Sequence, residues 1–411
     1  MGSGPERHTQ HRLIIALLVL TGGLLLPGCQ TQPPPTAMPS DITGTPDIVG
    51  DVMTRVAGTA MPGGIRTPPP GYNTPSGDPS QSGEGELWSV YFTDPAIPFD
   101  DVTSGGIEDN LIWLIDHAQY TIDAAVFEFG LQNVADALIR AQQRGVQVRM
   151  VHDDEHTAED EEMAQVIAAG IPATGDQREP YMHNKFFVFD GSIVWTGSTN
   201  ITVNGMYRNN NNALAFVSEE LAANYTAEFE EMFNGQFGPS SPPNTPFPGI
   251  PINSTTWVET YFSPEDLARD QIVSVVSEAQ HSVHFMAFSF TSDEIGEAMM
   301  QRADAGVEVA GIFETRGANT QYSECPRMLN YGLDVRLDGN PRTMHHKVVI
   351  IDGAIVVTGS FNFSSNATNN NDENILIIHS PYVAARYEEE FNRRMAEAQW
   401  PAGGECLSGA N

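Results

Sequence analysis

Short apolar runs alternate with amphipathic stretches along most of this 411-residue chain. In its first half, the runs 87–92, 121–129 and 145–151 have the length and the bounding turn residues of β-strands. Between them, 107–117 and 134–144 carry apolar residues at helical spacing. Strands that alternate with helices in this way predict an α/β fold with a largely parallel or mixed sheet.

The same order of elements returns in the second half. The matching segments share their apolar pattern and their order along the chain: 260–262 with 90–92, 282–290 with 121–129, 306–309 with 145–148 and 387–391 with 225–229. Because the spacing between the two copies stays nearly constant, the pattern indicates an internal duplication rather than chance similarity.

Composition sets the limits of the two halves. Residues 30–86 are rich in proline, threonine, glycine and serine without apolar periodicity, which predicts a disordered tether. A second proline-rich stretch, 237–256, is the predicted linker between a first half at 87–236 and a second half at 257–400. Residues 401–411 form a short C-terminal tail.

An apolar run at 13–26 follows Arg7 and Arg12 and ends just before Cys29. It is too short for a comfortable membrane span and predicts a signal peptide over residues 1–29. Residues 26–29, Leu-Pro-Gly-Cys, resemble a bacterial lipobox, so Cys29 is expected to be lipidated; the alternative is an ordinary cleaved signal peptide. In either case we expect an extracytoplasmic protein, lipid-anchored to the bacterial cell membrane or secreted.

The net charge and the positions of the lysines restrict the possible functions. The formal net charge of −33 repels polyanions at long range, which argues against a nuclease with a basic track for the phosphate backbone. The whole chain contains only two lysines, Lys185 and Lys347, and they lie at the same place in the two repeats. This distribution indicates that their ammonium groups are used there.

Both lysines belong to a pattern that occurs twice. It reads histidine, any residue, lysine, four apolar residues, aspartate, six further residues, and then Gly-Ser-x-Asn. Alternation along a strand places the histidine and the lysine of each copy on one face. Two imidazoles, two ammonium groups and two amides suit a phosphodiester: one histidine attacks phosphorus, the other protonates the leaving oxygen, and lysine and asparagine hold the non-bridging oxygens.

The two copies resemble the HKD motifs of the phospholipase D superfamily, and the resemblance extends over residues 87–400. It implies two duplicated α/β/α sandwich halves packed around one shared active site. It also implies a covalent phosphohistidine intermediate and a reaction that needs no metal and no other cofactor. Because both motifs lie in one chain, a monomer is expected.

The resemblance also implies a role for each motif residue. The catalytic set is His183, Lys185, Asp190, His345, Lys347 and Asp352. The residues expected to bind the substrate are Ser198, Asn200, Ser360, Asn362 and Glu373. His183 is the expected nucleophile and His345 the expected general acid, although the reverse assignment stays open. For the two aspartates, capping of the turn after the strand is an equally good interpretation.

An asparagine-rich loop follows each motif. In the family a downstream carboxylate often bonds a catalytic histidine, and Glu373 occupies that position in the second half, whereas the first half has Asn211. A carboxylate stabilises an imidazolium and an amide adds no charge, so the two histidines are not expected to be equivalent. The sequence does not reveal which histidine Glu373 contacts.

Two cysteines remain once Cys29 is set aside. In an oxidising compartment Cys325 and Cys406 form either a disulfide that ties the tail to the second half or two free thiols.

Three functions compete on the sequence alone. The first is an exported phosphodiesterase that hydrolyses phospholipid head groups, with the tether keeping it near lipid. The second is an extracellular, metal-independent nuclease of the same superfamily, which the acidic charge disfavours. The third is a surface binding protein with an inactive site, which the intact histidines, lysines and asparagines of both motifs disfavour.

Overall fold

The computed structural model describes residues 87–402 and residue 406. The predicted signal peptide, Cys29 and the tether lie outside the described residues. Within the described part, no helix is both long enough and apolar enough to cross a membrane. Two mixed β-sheets, each covered by helices, confirm the predicted α/β class and the duplication.

The first half contains seven strands and four helices in the predicted alternating order. Its strands are β1 (Trp88–Phe92), β2 (Thr121–Val126), β3 (Gln147–His152), β4 (Ala173–Gly175), β5 (Phe186–Phe189), β6 (Ile193–Gly197) and β7 (Asn212–Val217). Its helices are α1 (Gly106–His117), α2 (Gln132–Gln143), α3 (Glu161–Ala168) and α4 (Glu219–Phe233). The predicted strand 121–129 stops early, at Val126, because the residues that follow leave the sheet and approach the motif histidine.

The second half repeats this plan with one additional strand. Its strands are β8 (Ile250–Asn253), β9 (Thr256–Ser263), β10 (Ser282–Ala287), β11 (Glu308–Phe313), β12 (Asp334–Leu337), β13 (Lys347–Ile351), β14 (Ile355–Gly359) and β15 (Glu373–His379). Its helices are α5 (Ala268–Ser277), α6 (Asp293–Asp304), α7 (Cys325–Tyr331), α8 (Ser365–Asn369) and α9 (Pro381–Glu397). The stretch 237–256, which the sequence presents as a linker, therefore ends in a strand that pairs with β9 at the edge of the second sheet. An edge position tolerates Pro251, which has no N–H to donate.

The strand order is the same in both sheets. It is β1-β7-β6-β5-β2-β3-β4 in the first and β8-β9-β15-β14-β13-β10-β11-β12 in the second, with β8 as the addition. The three strands at one end, β2 to β4 or β10 to β12, are parallel, and the others are antiparallel. Each motif strand, β5 or β13, is central and therefore buried on both faces.

Hydrophobic packing joins the halves into one unit. Phe187 and Phe189 face outward onto α1, α2 and α3, whereas Phe186 and Val188 face inward. The inward side chains of both sheets pack with α4 and α9 into one central cluster. Because side chains alternate along a strand, every residue of the apolar run is buried on one face of the sheet or the other. The two sheets share the central cluster that contains α4 and α9.

Candidate active site

Each motif segment contacts the asparagine-rich loop of the other half at its N-terminal end. Met182 forms a parallel bridge with Asp372, and Met344 forms one with Asn210. The His183 N–H donates to the Asp372 carbonyl at 2.9 Å, and the His345 N–H donates to the Asn210 carbonyl, also at 2.9 Å. Each histidine is therefore held by the asparagine-rich loop of the other half.

The glycine of each Gly-Ser-x-Asn segment permits this close approach. A Cβ on Gly197 would lie 2.4 Å from the Asn212 carbonyl oxygen, and one on Gly359 would lie 2.2 Å from that of Asn374. Both glycines also have positive φ, at 148° and 151°, which side chains rarely adopt. Their small size lets the following serines reach the neighbouring strands β7 and β15.

Glu373 contacts His183. The His183 Nδ1 lies 2.7 Å from Glu373 Oε2, and the same oxygen accepts a hydrogen bond from Ser360 Oγ at 2.6 Å. The Asn371 amide donates to the other oxygen at 3.1 Å. Because the acceptor is a carboxylate, Nδ1 carries the proton and Nε2 keeps its lone pair. The question that the sequence left open is thus answered by a contact between the halves.

His345 has the matching arrangement with a neutral partner. Its Nδ1 lies 2.9 Å from Asn211 Oδ1 and 3.1 Å from the Ser198 carbonyl. Ser198 Oγ donates to the same amide oxygen at 2.8 Å, as Ser360 does to Glu373. Both acceptors require a proton on Nδ1, so this ring also presents Nε2. The main difference between the two rings is the charge of the side chain behind them: Glu373 is a carboxylate and Asn211 a neutral amide.

The two lysines lie beside the histidines, each over an aromatic ring. Lys185 Nζ is 4.6 Å from the centre of the Phe127 ring, and Lys347 Nζ is 4.8 Å from that of Phe288. Lys347 Nζ also donates to the His345 carbonyl at 2.8 Å. Sequence reasoning missed both phenylalanines, because each one ends an apolar run and looks like a core residue.

Burial and mutual repulsion set the charge state of the site. Burial lowers the pKa of His183 to about 4, against the attraction of Glu373 and with both lysines lowering it further. Burial also lowers the pKa of His345 well below its ordinary value, and the two lysines and His183 add to this effect. The pKa of each imidazole thus responds to charged groups of both halves. Both rings are neutral near pH 7 in the free protein.

Lys185 and Glu373 also have pKa values below their ordinary values, for different physical reasons. Burial lowers the pKa of Lys185 to about 7, although Glu373 and Glu128 act against this. Burial raises the pKa of Glu373, but the neighbouring His183 and Lys185 outweigh it, so the net pKa lies below the ordinary value. Glu373 is therefore ionised at neutral pH and completely buried.

The motif asparagines differ in their partners. Asn200 donates its amide to Glu128, a carboxylate that the sequence did not single out. The amide oxygen of Asn362 is buried and forms no hydrogen bond within the described residues. At the equivalent of Glu128 the second half has Ser289, so a carboxylate lies on one side of the site only.

Asp190 and Asp352 have different surroundings from the rest of the predicted catalytic set. Both have left-handed backbone, with φ of 51° and 54°. Asp190 accepts hydrogen bonds from the backbone N–H groups of residues 119–121, and Asp352 does the same for 280–282. Each lies at the end of its motif strand away from the lysine. These contacts stabilise the turn before β2 or β10, rather than the turn after the motif strand that the capping interpretation predicts.

Cys325 and Cys406 are joined by a disulfide that closes a separation of 81 residues. The bond connects the first turn of α7 to the C-terminal tail, and both cysteines are buried in the outer core of the second half.

Comparisons with known proteins agree with this geometry. The family model described as "Cardiolipin synthase, PLD-like domain" matches residues 111–233 and 272–395, one segment in each half and more than half of the chain together. The mitochondrial cardiolipin hydrolase of Chlamydomonas reinhardtii is 30% identical over 131 residues, which are 32% of this chain and 58% of that protein. The phospholipase D of Rickettsia felis is 28% identical over 168 residues, 41% of this chain and 84% of that protein.

The extent of these matches differs. The chain spans about three-fifths of the length of the cardiolipin hydrolases that it matches first, 58% and 62%. A crystal structure of phosphatidylserine synthase from Haemophilus influenzae covers 77% of this chain and 88% of its own, with a TM-score of 0.59 and 15% identity. At that identity the similarity shows a common fold and no more.

Proposed function

We propose that this chain, which belongs to the phospholipase D-like domain family, hydrolyses phospholipid head-group phosphodiesters through a phosphohistidine on His183. Family membership supports a phosphodiesterase in general terms. The observation that carries the specific proposal is the asymmetry behind the two rings: Glu373 behind His183 and Asn211 behind His345.

In the first step, Nε2 of His183 attacks phosphorus and the bond from phosphorus to the leaving oxygen breaks. The ring becomes positively charged, and the ionised Glu373 stabilises that charge through Nδ1. The low pKa of His183 keeps the ring neutral and nucleophilic before attack. A neutral amide behind the ring would provide less stabilisation, which is why we assign the attack to His183.

His345 supplies the proton that the leaving oxygen takes. Its own pKa is low in the free protein, so an anionic phosphodiester must raise it on binding, by offsetting the charge of the two lysines. In the second step, His345 removes a proton from water, the water oxygen attacks phosphorus, and the bond to His183 breaks. His345 is then protonated again, as it was before the attack, and it loses this proton when the anionic product leaves and the free enzyme is restored.

Lys185, Lys347 and the motif asparagines hold the non-bridging oxygens. The ammonium groups sit in a buried site, where each charge acts more strongly on the phosphorane than it would in water. Asn362 is half-buried, and its amide N–H groups can donate to a phosphoryl oxygen.

Two arginines near the motif segments, Arg149 and Arg178, are neutralised by carboxylates, and this favours lipid over nucleic acid. Arg149 pairs with Asp123 and Glu230, and Arg178 pairs with Asp372. A basic track for a polynucleotide backbone needs unpaired cations. With a net charge of −33, this pairing supports a substrate that presents one phosphodiester at a time. The proposal includes export, either with a lipid anchor at Cys29 or as a secreted monomer.

The test offers the purified chain phosphatidylcholine, cardiolipin and single-stranded DNA at 25 °C in EDTA. We expect release of lipid head groups and no DNA cleavage. Cleavage of DNA alone would replace the lipid proposal with the nuclease. His183→Ala and His345→Ala should each abolish turnover, and substantial activity in either would contradict the paired-histidine mechanism.

A further inference from the structure

A group of three carboxylates, two buried and one half-buried, lies apart from the catalytic histidines. Oxygen atoms of Glu228, Glu231 and Glu265 all lie within 4.8 Å of one another. Glu228 and Glu231 are 2% and 4% exposed. They belong to α4 of the first half, whereas Glu265 follows β9 of the second half. Three carboxylates this close repel one another strongly unless a positive charge or protons compensate.

The duplication provides an internal comparison. Helices α4 and α9 are equivalent, and Tyr225 and Phe229 match Tyr387 and Phe391. In this register, Glu228 corresponds to Glu390, which is also buried. The second half surrounds its carboxylate with cations, because Glu390 pairs with Arg393, Arg394 and His346.

The first half lacks each of these cations. The equivalents of Arg393, Arg394 and His346 are Glu231, Met232 and Asn184. Asn184 donates a hydrogen bond to Glu228 at 3.1 Å but brings no charge. Within the described residues, no lysine or arginine forms an ion pair with Glu228, Glu231 or Glu265. One carboxylate has thus replaced an arginine at the same place in the duplicated fold.

The carboxylate group and its surroundings contain buried oxygens without hydrogen-bond partners. Oε1 of Glu231 and Oε2 of Glu265 are buried and form no hydrogen bond within the described chain. Ser241 is 8% exposed, and its hydroxyl, which faces the Glu231 carboxylate, is likewise without a hydrogen bond. Buried polar atoms without partners are rare in folded proteins and call for a ligand or an ion.

We propose that Glu228, Glu231 and Glu265, together with the Ser241 hydroxyl, bind one structural calcium ion. Carboxylate and hydroxyl oxygens are the ligands of hard cations, and donors from three separate segments suit the flexible coordination of Ca²⁺ better than the octahedron of Mg²⁺. The ion supplies the positive charge that Arg393 and Arg394 supply in the second half. It takes no part in the phosphoryl transfer.

The location gives the ion a definite task. The ion binds donors from three segments: α4 of the first half, Ser241 in the segment that connects the halves, and the loop after β9 of the second half. It therefore links the two halves to each other. Glu228 also holds Asn184, which lies between His183 and Lys185. Because the histidines depend on partners from the opposite half, this link raises the temperature at which the active site comes apart, while the calcium-free chain stays folded at 25 °C.

The competing explanation is proton sharing. Burial raises the pKa of Glu231 and of Glu265 above their ordinary values, so protons held between the carboxylates would also reduce the repulsion. Binding of calcium and thermal unfolding separate the two explanations. Proton sharing gives a stability that does not depend on calcium, whereas an ion site gives one that does.

The experiment compares the purified full chain in CaCl₂ and in EDTA near pH 7. Equilibrium dialysis with radioactive calcium should yield one ion per chain. Thermal unfolding followed by circular dichroism should show a Tm higher by about 4 °C at a hundredfold excess of calcium over its Kd. Glu231→Gln should lose the bound ion and the calcium-dependent shift.

Glu220→Gln is the matched control, because Glu220 is exposed at the start of the same helix. It should keep both the bound ion and the shift. The proposal is overturned if the wild-type chain shows no calcium-dependent shift, or if Glu231→Gln retains it. If Glu231→Gln does not fold, the stoichiometry and the shift of the wild-type chain decide alone.

Discussion

Replacing Glu373 with glutamine removes the negative charge behind His183 and keeps the size of the side chain. In the native site the two carboxylate oxygens accept hydrogen bonds from His183, Ser360 and Asn371. A glutamine that turns its oxygen toward His183 presents an N–H group to the Asn371 amide, so one contact is lost as well as the charge. His183 then has a neutral partner, as His345 has in Asn211.

The magnitude follows from the charge that develops on the ring during attack. A hydrogen bond between charged groups contributes about 1.5–3 kcal/mol, against about 1 kcal/mol for a neutral one. Replacing the charge-assisted bond with a neutral one therefore removes about 0.5–2 kcal/mol and lowers the rate of phosphoenzyme formation by roughly 2- to 30-fold. The folded state tolerates the change, because burial of Glu373 itself opposes its ionisation.

The assay is single-turnover kinetics with a short-chain phospholipid, with Ser360→Ala as the matched control. Ser360 donates to Glu373 without carrying a charge. Its loss leaves the carboxylate and its charge in place, so it should slow the step less than Glu373→Gln does. The reasoning is refuted if Glu373→Gln forms the phosphoenzyme at the wild-type rate, or if Ser360→Ala is slowed as much as Glu373→Gln.

Three further predictions concern pH, the turn aspartate and the disulfide. The pH profile of kcat/KM should fall on the acid side near pH 4, where His183 becomes protonated, and on the alkaline side near pH 7, where Lys185 loses its charge. The pKa of His183 is lower in the folded than in the unfolded chain, so protonation of this ring favours unfolding. The free energy of unfolding, measured with urea, should therefore decrease as the pH falls from about 6.5 toward 4. Asp190→Ala should lower the free energy of unfolding by about 1–3 kcal/mol, by leaving backbone N–H groups unpaired, and a kcat below half of the wild-type value in the folded variant would contradict its structural role. Cys406→Ser should cost about 2–4 kcal/mol by releasing the tail from Cys325, and an unchanged Tm would argue against a stabilising disulfide.

The pattern of apolar residues predicted the sheets well, because all side chains of a central strand such as β5 are buried and the strand therefore appears as an unbroken apolar run in the sequence. The linker was harder to delimit, since β8 is a short edge strand that contains Pro251 and resembles the proline-rich segment before it. The duplication was visible in the spacing, and it correctly implied a single site shared by two halves.

Contacts between the halves were beyond the reach of sequence reasoning. The sequence suggested a role for Glu373 but not its partner, because His183 lies 190 positions away along the chain and only the packing of the two sheets brings them together. The three carboxylates of the proposed calcium site escaped notice for the same reason, as Glu265 is remote from α4 in sequence. Acidic residues are common in this chain, so their proximity had no signature.

The central claim is that one imidazole becomes phosphorylated while the other handles protons. Rapid alkaline quenching during turnover, followed by peptide mapping with mass spectrometry, measures this directly. The account predicts a phosphoryl group, with the lipid portion still attached, on His183 and none on His345. A label on His345, or steady turnover with no labelled histidine, would contradict it.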